Sequence, residues 1–520
     1  MTQLFPVHPN LRVNFSRFFS AGLLALALAG GMSAAAPVAA NATRPNIIII
    51  YADDLGYGDV GCYGSTAIAT PNIDRLAAGG LRFTDGHASA STCTPSRYSM
   101  LTGRAAFRTP GVSILQGDAA ALIKPGETTL ASALAEAGYQ TSVFGKWHLG
   151  LGTGSIDWNR AITPGPIDIG FTEQFILPAT LDRVPCVYLD GNRVRDLDPV
   201  DPIKVSYARQ VGTEPTGFSH PELLRYKANP QHSGTIINGV SRIGFMTGGK
   251  AARWNDETMP DVLTGKAADF IHRNRTNPFF IYYAAPEPHV PRIPAPRFAG
   301  KTKLGPRGDV IVQLDWEVGQ ILAALERDHL TENTLIIFSS DNGPVLNDGY
   351  EDGAVRLNEA HRPAGPYSGG KYGVLEGGTR VPLIVSWPNR IRSGVSAALI
   401  SHVDFLATLS ALTGRTPAAG EGPDSLNLLP VLLGESTQGR TLLLEEGYAD
   451  MGYREGDWKI TQEIKSGPGK TMAERFGKAR LYNVANDIAE KINLADKQPE
   501  RVAQLQAGLR TLLDGQQSRP

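Results

Sequence analysis

Short apolar runs of strand length recur along the chain: Asn46–Tyr51 (NIIIIY), Gln140–Gly145 (QTSVFG), Pro278–Ala284 (PFFIYYA), Thr334–Ser339 (TLIIFS) and Pro382–Trp387 (PLIVSW). Polar residues do not alternate through them, which is the pattern of parallel strands covered on both faces. Helical spacing fills the gaps. TPNIDRLAAGG offers Thr70 as N-cap and Pro71 in the first turn, and Thr128–Gly138, Val310–Glu326 and Val403–Gly414 keep a helical repeat. Strands alternating with helices predict an α/β fold, a large, mostly parallel, doubly wound sheet sandwiched by helices. Residues 154–253 are weakly periodic and read as a loop-rich insertion. From about Arg440 the texture changes to short antiparallel strands, with Pro499–Gly515 as a closing helix, a small C-terminal α+β subdomain.

The N-terminus changes the picture. Arg12 and Arg17 precede the apolar run Ala21–Met32 and the small-residue stretch SAAAPVAANA, the three parts of a secretory signal peptide. The run is too short to span a bilayer comfortably. The expected organisation is a signal peptide over residues 1–40, a catalytic α/β domain over 41–435 and the subdomain over 436–520. The mature protein is then exported, periplasmic or secreted, with no stable membrane anchor. Net charge is -1, so no global field draws it to nucleic acid.

Export makes the three cysteines odd. Cys62, Cys93 and Cys186 have no metal-ligand spacing. A Cys62–Cys186 disulfide stays open; Cys93 is then left over, and an unpaired thiol is a liability in an oxidising compartment. Either Cys93 is buried or it is no longer a thiol. It stands in STCTPSRYSMLTGR, at the mouth of a helix whose first turn tolerates Pro95, with Arg97 four residues on along the same face.

In open α/β sheets ligands bind beyond the carboxyl ends of the strands. Here those ends are polar: Asp53-Asp54 after the first run, Ser340-Asp341-Asn342-Gly343 after the fourth, Lys146-Trp147-His148 after the second, His289 beyond the third, and Lys371 ahead of the fifth. Singly, each has an ordinary reading: a helix cap, a tight turn, a solvated lysine. Together they converge. Asp53, Asp54, Asp341 and Asn342 make an all-oxygen set for one hard divalent cation; calcium suits the mixed carboxylate and amide ligation, and magnesium is the alternative. Arg97, Lys146, Lys371, His148 and His289 surround it as a cationic pocket for a tetrahedral oxyanion.

These residues resemble the type I sulfatases of the alkaline phosphatase superfamily. The resemblance rests on CTPSR with the trailing LTGR, ADDLGYGD, GKWHLG, PHVP, SSDNG and GGKYGVLEGGTRVP, in that family's order. It implies an alkaline-phosphatase-like mixed sheet. It also implies that Cys93 is oxidised to Cα-formylglycine by a separate formylglycine-generating enzyme, and that residue 93 completes the metal set. A thiolate attacking a sulfate ester would leave a thiosulfate resistant to hydrolysis. An aldehyde hydrate has one hydroxyl to attack sulfur and a second whose deprotonation ejects sulfate. By the same resemblance Arg97 and Lys146 orient the hydrate, His148 assists elimination, and His289 with Lys371 protonates the leaving alcohol. Asp348, His361 and Arg362, in the loop before Lys371, are expected to contact sugar hydroxyls. The expected substrate is a sulfated saccharide of galactose or N-acetylgalactosamine type. Two alternatives remain: a phosphomonoesterase or phosphodiesterase on the same fold, and a non-catalytic sulfated-glycan-binding protein.

Overall fold

A computed structural model describes residues 44–467 and 471–519. The signal-peptide expectation falls outside the described residues. Among the described residues no helix is long and apolar enough to cross a membrane.

The first apolar run forms β1 (Asn46–Ala52), every residue of it buried. The other central-sheet strands are β2 (Leu81–Phe83), β3 (Gln140–Lys146), β4 (Glu173–Leu177), β5 (Leu189–Asp190), β6 (Arg193–Val194), β7 (Phe279–Ala284), β8 (Thr334–Ser340), β9 (Leu383–Ser386) and β10 (Gly394–Ser396). Their order is β10-β2-β9-β8-β1-β7-β3-β4-β5-β6. The middle, β8-β1-β7-β3-β4, is parallel throughout. The fifth apolar run is a correction to the parallel expectation, because β9 runs antiparallel to β8. Burial on both faces makes a strand uniformly apolar whatever its direction. Here residues 341–382 loop over the end of the sheet and return at that same end, which forces the opposite direction.

Helices cover both faces. They are α1 (Pro71–Ala78), α2 (Cys93–Thr102), α3 (Leu130–Glu136), α4 (Met259–Arg273), α5 (Pro306–Arg327) and α6 (Phe405–Leu412). The register separates the faces. Ile50 lies beside Tyr283, so the next residue, Tyr51, points the other way. The Tyr283 hydroxyl donates to Glu317 of α5 at 2.6 Å, whereas the Tyr51 hydroxyl meets Ser96 of α2 at 3.2 Å. α1 and α4 pack on α5, and α2, α3 and α6 pack together. Pro306 starts α5 one turn ahead of its first apolar residue. Thr70 precedes α1 without capping it, because its hydroxyl is taken by Gly61 N–H and Asp74.

The loop-rich reading of residues 154–253 is corrected in part, because the segment supplies β4, β5 and β6 to one side of the central sheet; beyond them it holds small ladders, such as Lys204–Ser206 against Phe245–Thr247. The last strands, β11 (Leu442–Glu446), β12 (Asp450–Glu455), β13 (Trp458–Ile464) and β14 (Phe476–Asn483), form an antiparallel sheet. Helix α7 (Pro499–Asp514) covers it, burying Leu505 and Leu509 against Met451, Tyr453, Ile460 and Leu481. Cys62, Cys93 and Cys186 are all free thiols.

Candidate active site

Three parallel strands end at one place. Beyond β1 stand Asp53 and Asp54, beyond β8 Asp341 and Asn342, and β3 ends in Lys146, followed by His148; all six are buried. The backbone accepts unusual geometry to present them. Of seven non-glycine residues with positive φ among the described residues, Asp54 (φ 67), His148 (φ 56) and Tyr372 (φ 83) lie here. Such conformations cost about 1–2 kcal/mol each and persist where surrounding contacts impose them. Gly343 has a different constraint. Its N–H donates to Gly378 at 2.8 Å, and a Cβ there would lie 1.9 Å from the Gly377 carbonyl oxygen.

Cys93 is the first residue of α2, where unpaired backbone N–H groups favour an anion. Its neighbours in CTPSR each have a task. The Thr94 hydroxyl donates to the His148 carbonyl at 3.0 Å, holding the strained turn, and Ser96 meets Tyr51. Arg97 is fully buried. Its Nε and a terminal nitrogen reach Asp341 Oδ2 at 2.9 and 2.8 Å, and Nη1 donates to the Tyr282 hydroxyl at 3.0 Å. Lys146 Nζ donates to Asp53 at 2.7 Å, and Lys371 Nζ to Asp54 at 2.9 Å and Asp348 at 3.0 Å.

Burial, and then the Asp53 charge, push the Asp341 carboxyl up. Burial also raises Asp53, although Lys146 opposes it. Burial acts the same way on Asp54, but Lys371 and His289 outweigh it and hold that carboxyl down. The acceptors remain incompletely used: Asp53 Oδ1 and Asn342 Oδ1 are buried with no hydrogen-bond partner. Asn342 spends its amide nitrogen on Asp54 and Gly343, leaving that oxygen free. Crowded carboxylates with orphaned oxygens fit a bound cation. Ligand atoms of Asp53, Asp54 and His289 also lie within 4.8 Å of one another. A hard cation selects the oxygens and leaves the imidazole to other work.

The histidines have defined tautomers. His148 Nε2 donates to the Leu115 carbonyl at 2.9 Å, so Nδ1 presents its lone pair to Cys93 Sγ at 3.4 Å. Burial and then Lys146 hold its pKa well below the usual histidine range. His289 Nδ1 donates to the Val290 carbonyl at 2.7 Å, which leaves Nε2 as acceptor, 3.9 Å from Asp54. Burial, then Lys371, lower its pKa to about 4. It is therefore neutral at pH 7. The Cys93 thiol is pushed up by burial despite Lys146 and Lys371, so it is a poor thiolate.

A cavity of ≈ 540 Å³ opens over Cys93, bounded by His289, Lys371, Asp348, Arg183 and Tyr372. Every catalytic and metal candidate named from the sequence is thus gathered at this cavity or beneath it. Of the three loop residues, Asp348 lines the cavity. His361 does not; its Nε2 is bound to Asp59 at 2.8 Å beside Arg307, and Arg362 lies outside the lining. Sequence reasoning missed Arg183, which lies in the weakly periodic insertion. It is held by Asp182 and Thr180 at 2.7 Å, and its charge bears on Cys93 across the cavity.

A mixed, mostly parallel sheet carrying this site at its strand ends defines the alkaline-phosphatase-like class of hydrolases. Within that class the chain belongs to the sulfatase family, whose model matches residues 45–161 and 205–415, and it is a sulfuric ester hydrolase. It is 45% identical to the N-acetylgalactosamine-6-O-sulfatase of Bacteroides thetaiotaomicron over 471 residues, 89% of this chain and 92% of that one. Human arylsulfatase A is 34% identical, covering 82% of this chain and 74% of its own. Among solved structures, one from work on the metabolism of multiple glycosaminoglycans by Bacteroides thetaiotaomicron superposes with TM-score 0.87 at 44% identity. It covers 91% of this chain and all (100%) of that one. A Pseudoalteromonas sulfatase superposes with TM-score 0.65 at 25% identity, covering 90% of each chain.

Proposed function

We propose that this sulfatase removes O-sulfate from a saccharide of galactose or N-acetylgalactosamine type, with residue 93 acting as formylglycine and a calcium ion held by Asp53, Asp54, Asp341, Asn342 and residue 93. The observation that carries the reading is the place of Cys93. It is a buried, high-pKa thiol at a helix N-terminus, facing the lone pair of His148 and flanked by a cage of acceptors. A thiol so placed is a weak nucleophile with no route to expel sulfate once it is attached, whereas an aldehyde hydrate has a second hydroxyl whose deprotonation ejects it. The relative active on N-acetylgalactosamine 6-O-sulfate supports the sugar class.

A cation held by those residues would supply positive charge that stabilises the developing oxyanions. The chain's residues do the rest. Arg97 and Lys146 hold the acids that surround residue 93 and fix its orientation. His148 Nδ1 takes a proton from the side chain of residue 93 when sulfate leaves. Lys371, protonated between Asp54 and Asp348, binds a sulfate oxygen. The ester's negative charge raises the pKa of His289, so that Nε2 carries the proton given to the departing alkoxide. Asp348 accepts from a sugar hydroxyl. The exported location expected from the N-terminus fits conversion of Cys93 before the protein reaches an oxidising compartment.

The test is sulfate release from 6-O-sulfated N-acetylgalactosamine, together with peptide mass analysis of residue 93. Turnover with the thiol mass replaced by an aldehyde or its hydrate is expected. Full activity with an unmodified Cys93, or a preference for phosphate esters, overturns the reading.

A further inference from the structure

A second cavity, of ≈ 640 Å³, adjoins the catalytic one, and Tyr372 and Tyr448 line both. The antiparallel C-terminal sheet builds its far wall. Thr461 and Glu463 come from β13, and Lys478 and Arg480 from β14. Arg480 pairs across the sheet with Thr461, and Lys478 lies two residues before it at a register irregularity; both cations line the cavity.

Tyr448 stands on the turn between β11 and β12. Its N–H donates to the Tyr372 carbonyl at 2.8 Å. Its ring meets the Tyr372 ring edge-on, centroids 6.2 Å apart at 83°. The Tyr372 hydroxyl is bound to Asp348, on the catalytic wall. Yet Tyr448 is 75% exposed. A large ring held in place and left bare on the rim between two cavities has the form of a recognition surface.

The charges beside it are available. Among the described residues neither Lys478 nor Arg480 lies within ion-pair distance of a carboxylate. Glu463 spends its carboxylate on the Lys478 backbone N–H at 2.9 Å. Asp450 is half-buried, and burial pushes its carboxyl up. The exposed lysine and arginine line the cavity beside these two carboxylates, and the Arg480 charge acts on Asp450.

We infer that this second cavity is a subsite for the sugar unit next to the sulfated one, with Tyr448 stacking on its ring and Lys478 and Arg480 favouring a unit that bears an anionic group. The inference rests on the saccharide reading above. The anion is a carboxylate or a second sulfate, since a lysine and an arginine on an open strand bind either.

The experiment compares kcat/KM on four substrates: 6-O-sulfated N-acetylgalactosamine alone, and the same sugar linked to a neutral hexose, to a uronic acid, or to a sulfated hexose. The acidic disaccharides are expected to exceed the neutral one, and the neutral one the monosaccharide. Arg480→Ala and Lys478→Ala each reduce the acidic advantage about two- to fivefold, as for an exposed charge pair, while monosaccharide turnover reports an intact fold and site. Raised salt erases the same advantage. Tyr448→Ala lowers all three disaccharides relative to the monosaccharide. Greater loss on the uronic acid than on the sulfated hexose, or the reverse, tells which anion the pair prefers. Turnover of the monosaccharide with no gain from a second unit overturns the subsite alone. No turnover of any of the four overturns the saccharide reading and the inference with it.

Discussion

Two of the buried charge clusters among the described residues are built to opposite ends. The first is the catalytic one, where Asp53, Asp54 and Asp341 face Arg97, Lys146 and Lys371. The second joins the central domain to the C-terminal sheet. Lys459 Nζ lies 2.7 Å from Glu376, 3.0 Å from Glu445 and 3.5 Å from Glu490. Around them His87 meets Asp85 at 3.0 Å and Glu445 at 2.9 Å, while Arg380 and Arg454 reach Asp85 at 3.2 and 3.1 Å. Asp85, His87 and Glu376 could by proximity hold a metal. The ammonium and guanidinium groups already fill that role. The oxygens of that second cluster with no hydrogen-bond partner, Glu445 Oε2 and Glu490 Oε1, lie 3.0 and 3.5 Å from the Lys459 ammonium, whereas in the catalytic cluster Asp53 Oδ1 and Asn342 Oδ1 have no cation that close. Both clusters meet the desolvation cost of burial; one spends its carboxylate oxygens on its own cations, and the other keeps acceptor oxygens that a bound cation can complete.

The contrast is tested by what single changes do to each cluster. In the open cluster a change should cost turnover rather than stability. His289→Ala shows this most sharply. A sugar sulfate leaves as a poor alkoxide and needs a proton in the transition state, whereas an activated aryl sulfate leaves as a stable phenolate. The substitution should lower kcat/KM on the sugar by about 10²–10⁴-fold and on the aryl ester far less, with little change in Tm. Equal losses on both substrates would leave His289 as a sulfate-binding residue and remove it from proton transfer.

In the closed cluster the reverse holds. Lys459→Met removes the ammonium shared by Glu376, Glu445 and Glu490 and leaves Glu490 with no other ion-pair partner among the described residues, a loss of about 3–5 kcal/mol. It should appear as a fall of several degrees in Tm. The surviving folded fraction should keep its aryl-sulfate kcat, since Lys459 touches no group at the catalytic cavity. A fall in kcat at unchanged Tm would show that the two clusters are not separable.

How much of this was legible in the sequence follows the same division. Asp53-Asp54 and Asp341-Asn342 could be read because each pair directly follows an apolar strand, and parallel strands carry such ends to one edge. Cys93 could be read from its motif. The direction of β9 could not, since a strand buried on both faces carries no mark of polarity. The second cluster was invisible. Asp85, His87, Glu376, Glu445, Lys459 and Glu490 come from segments far apart in the chain, and each alone reads as a solvated charge. Arg183 and Tyr448 were missed for a related reason: one lies in an aperiodic insertion and the other in a hairpin turn. His361 was misassigned because proximity in sequence to Asp348 did not show that Asp59 and Arg307 claim it.

Removal of the cation probes the comparison without mutation. Chelation should abolish turnover, and calcium should restore it, while the closed cluster stays intact. A site saturated about a hundredfold over its Kd contributes about 3 kcal/mol, so Tm should fall modestly and recover with added calcium. Stoichiometric zinc, or two metals per chain, would contradict an all-oxygen single-ion cage. A Tm insensitive to both chelator and calcium would mean that the orphaned oxygens are not ligands.

The smallest effect is one of pH, and its sign differs between buried histidines. Burial alone would lower the pKa of His87, but Glu376, Asp85 and Glu445 outweigh it and hold it above the usual histidine value. The unfolded reference is about 6.5. Stability from a raised folded pKa is fully present below that value and is lost as pH rises through the folded one. His402 has the opposite sign. It is buried between the Tyr51 and Ser339 hydroxyls, and burial lowers its pKa to about 3. Its penalty therefore grows as pH falls from about 6.5 toward that value. His87→Gln should lower stability by about 1.5 kcal/mol, the lower end for a hydrogen bond to a charged group. The Tm gap to the wild type should be widest below pH ~6.5 and narrow as pH rises above it. A gap that is constant with pH would mean that His87 is neutral and serves only as a hydrogen-bond bridge. A gap that widens at high pH would reverse the sign and break the account of the second cluster as a set of charges balanced within the chain.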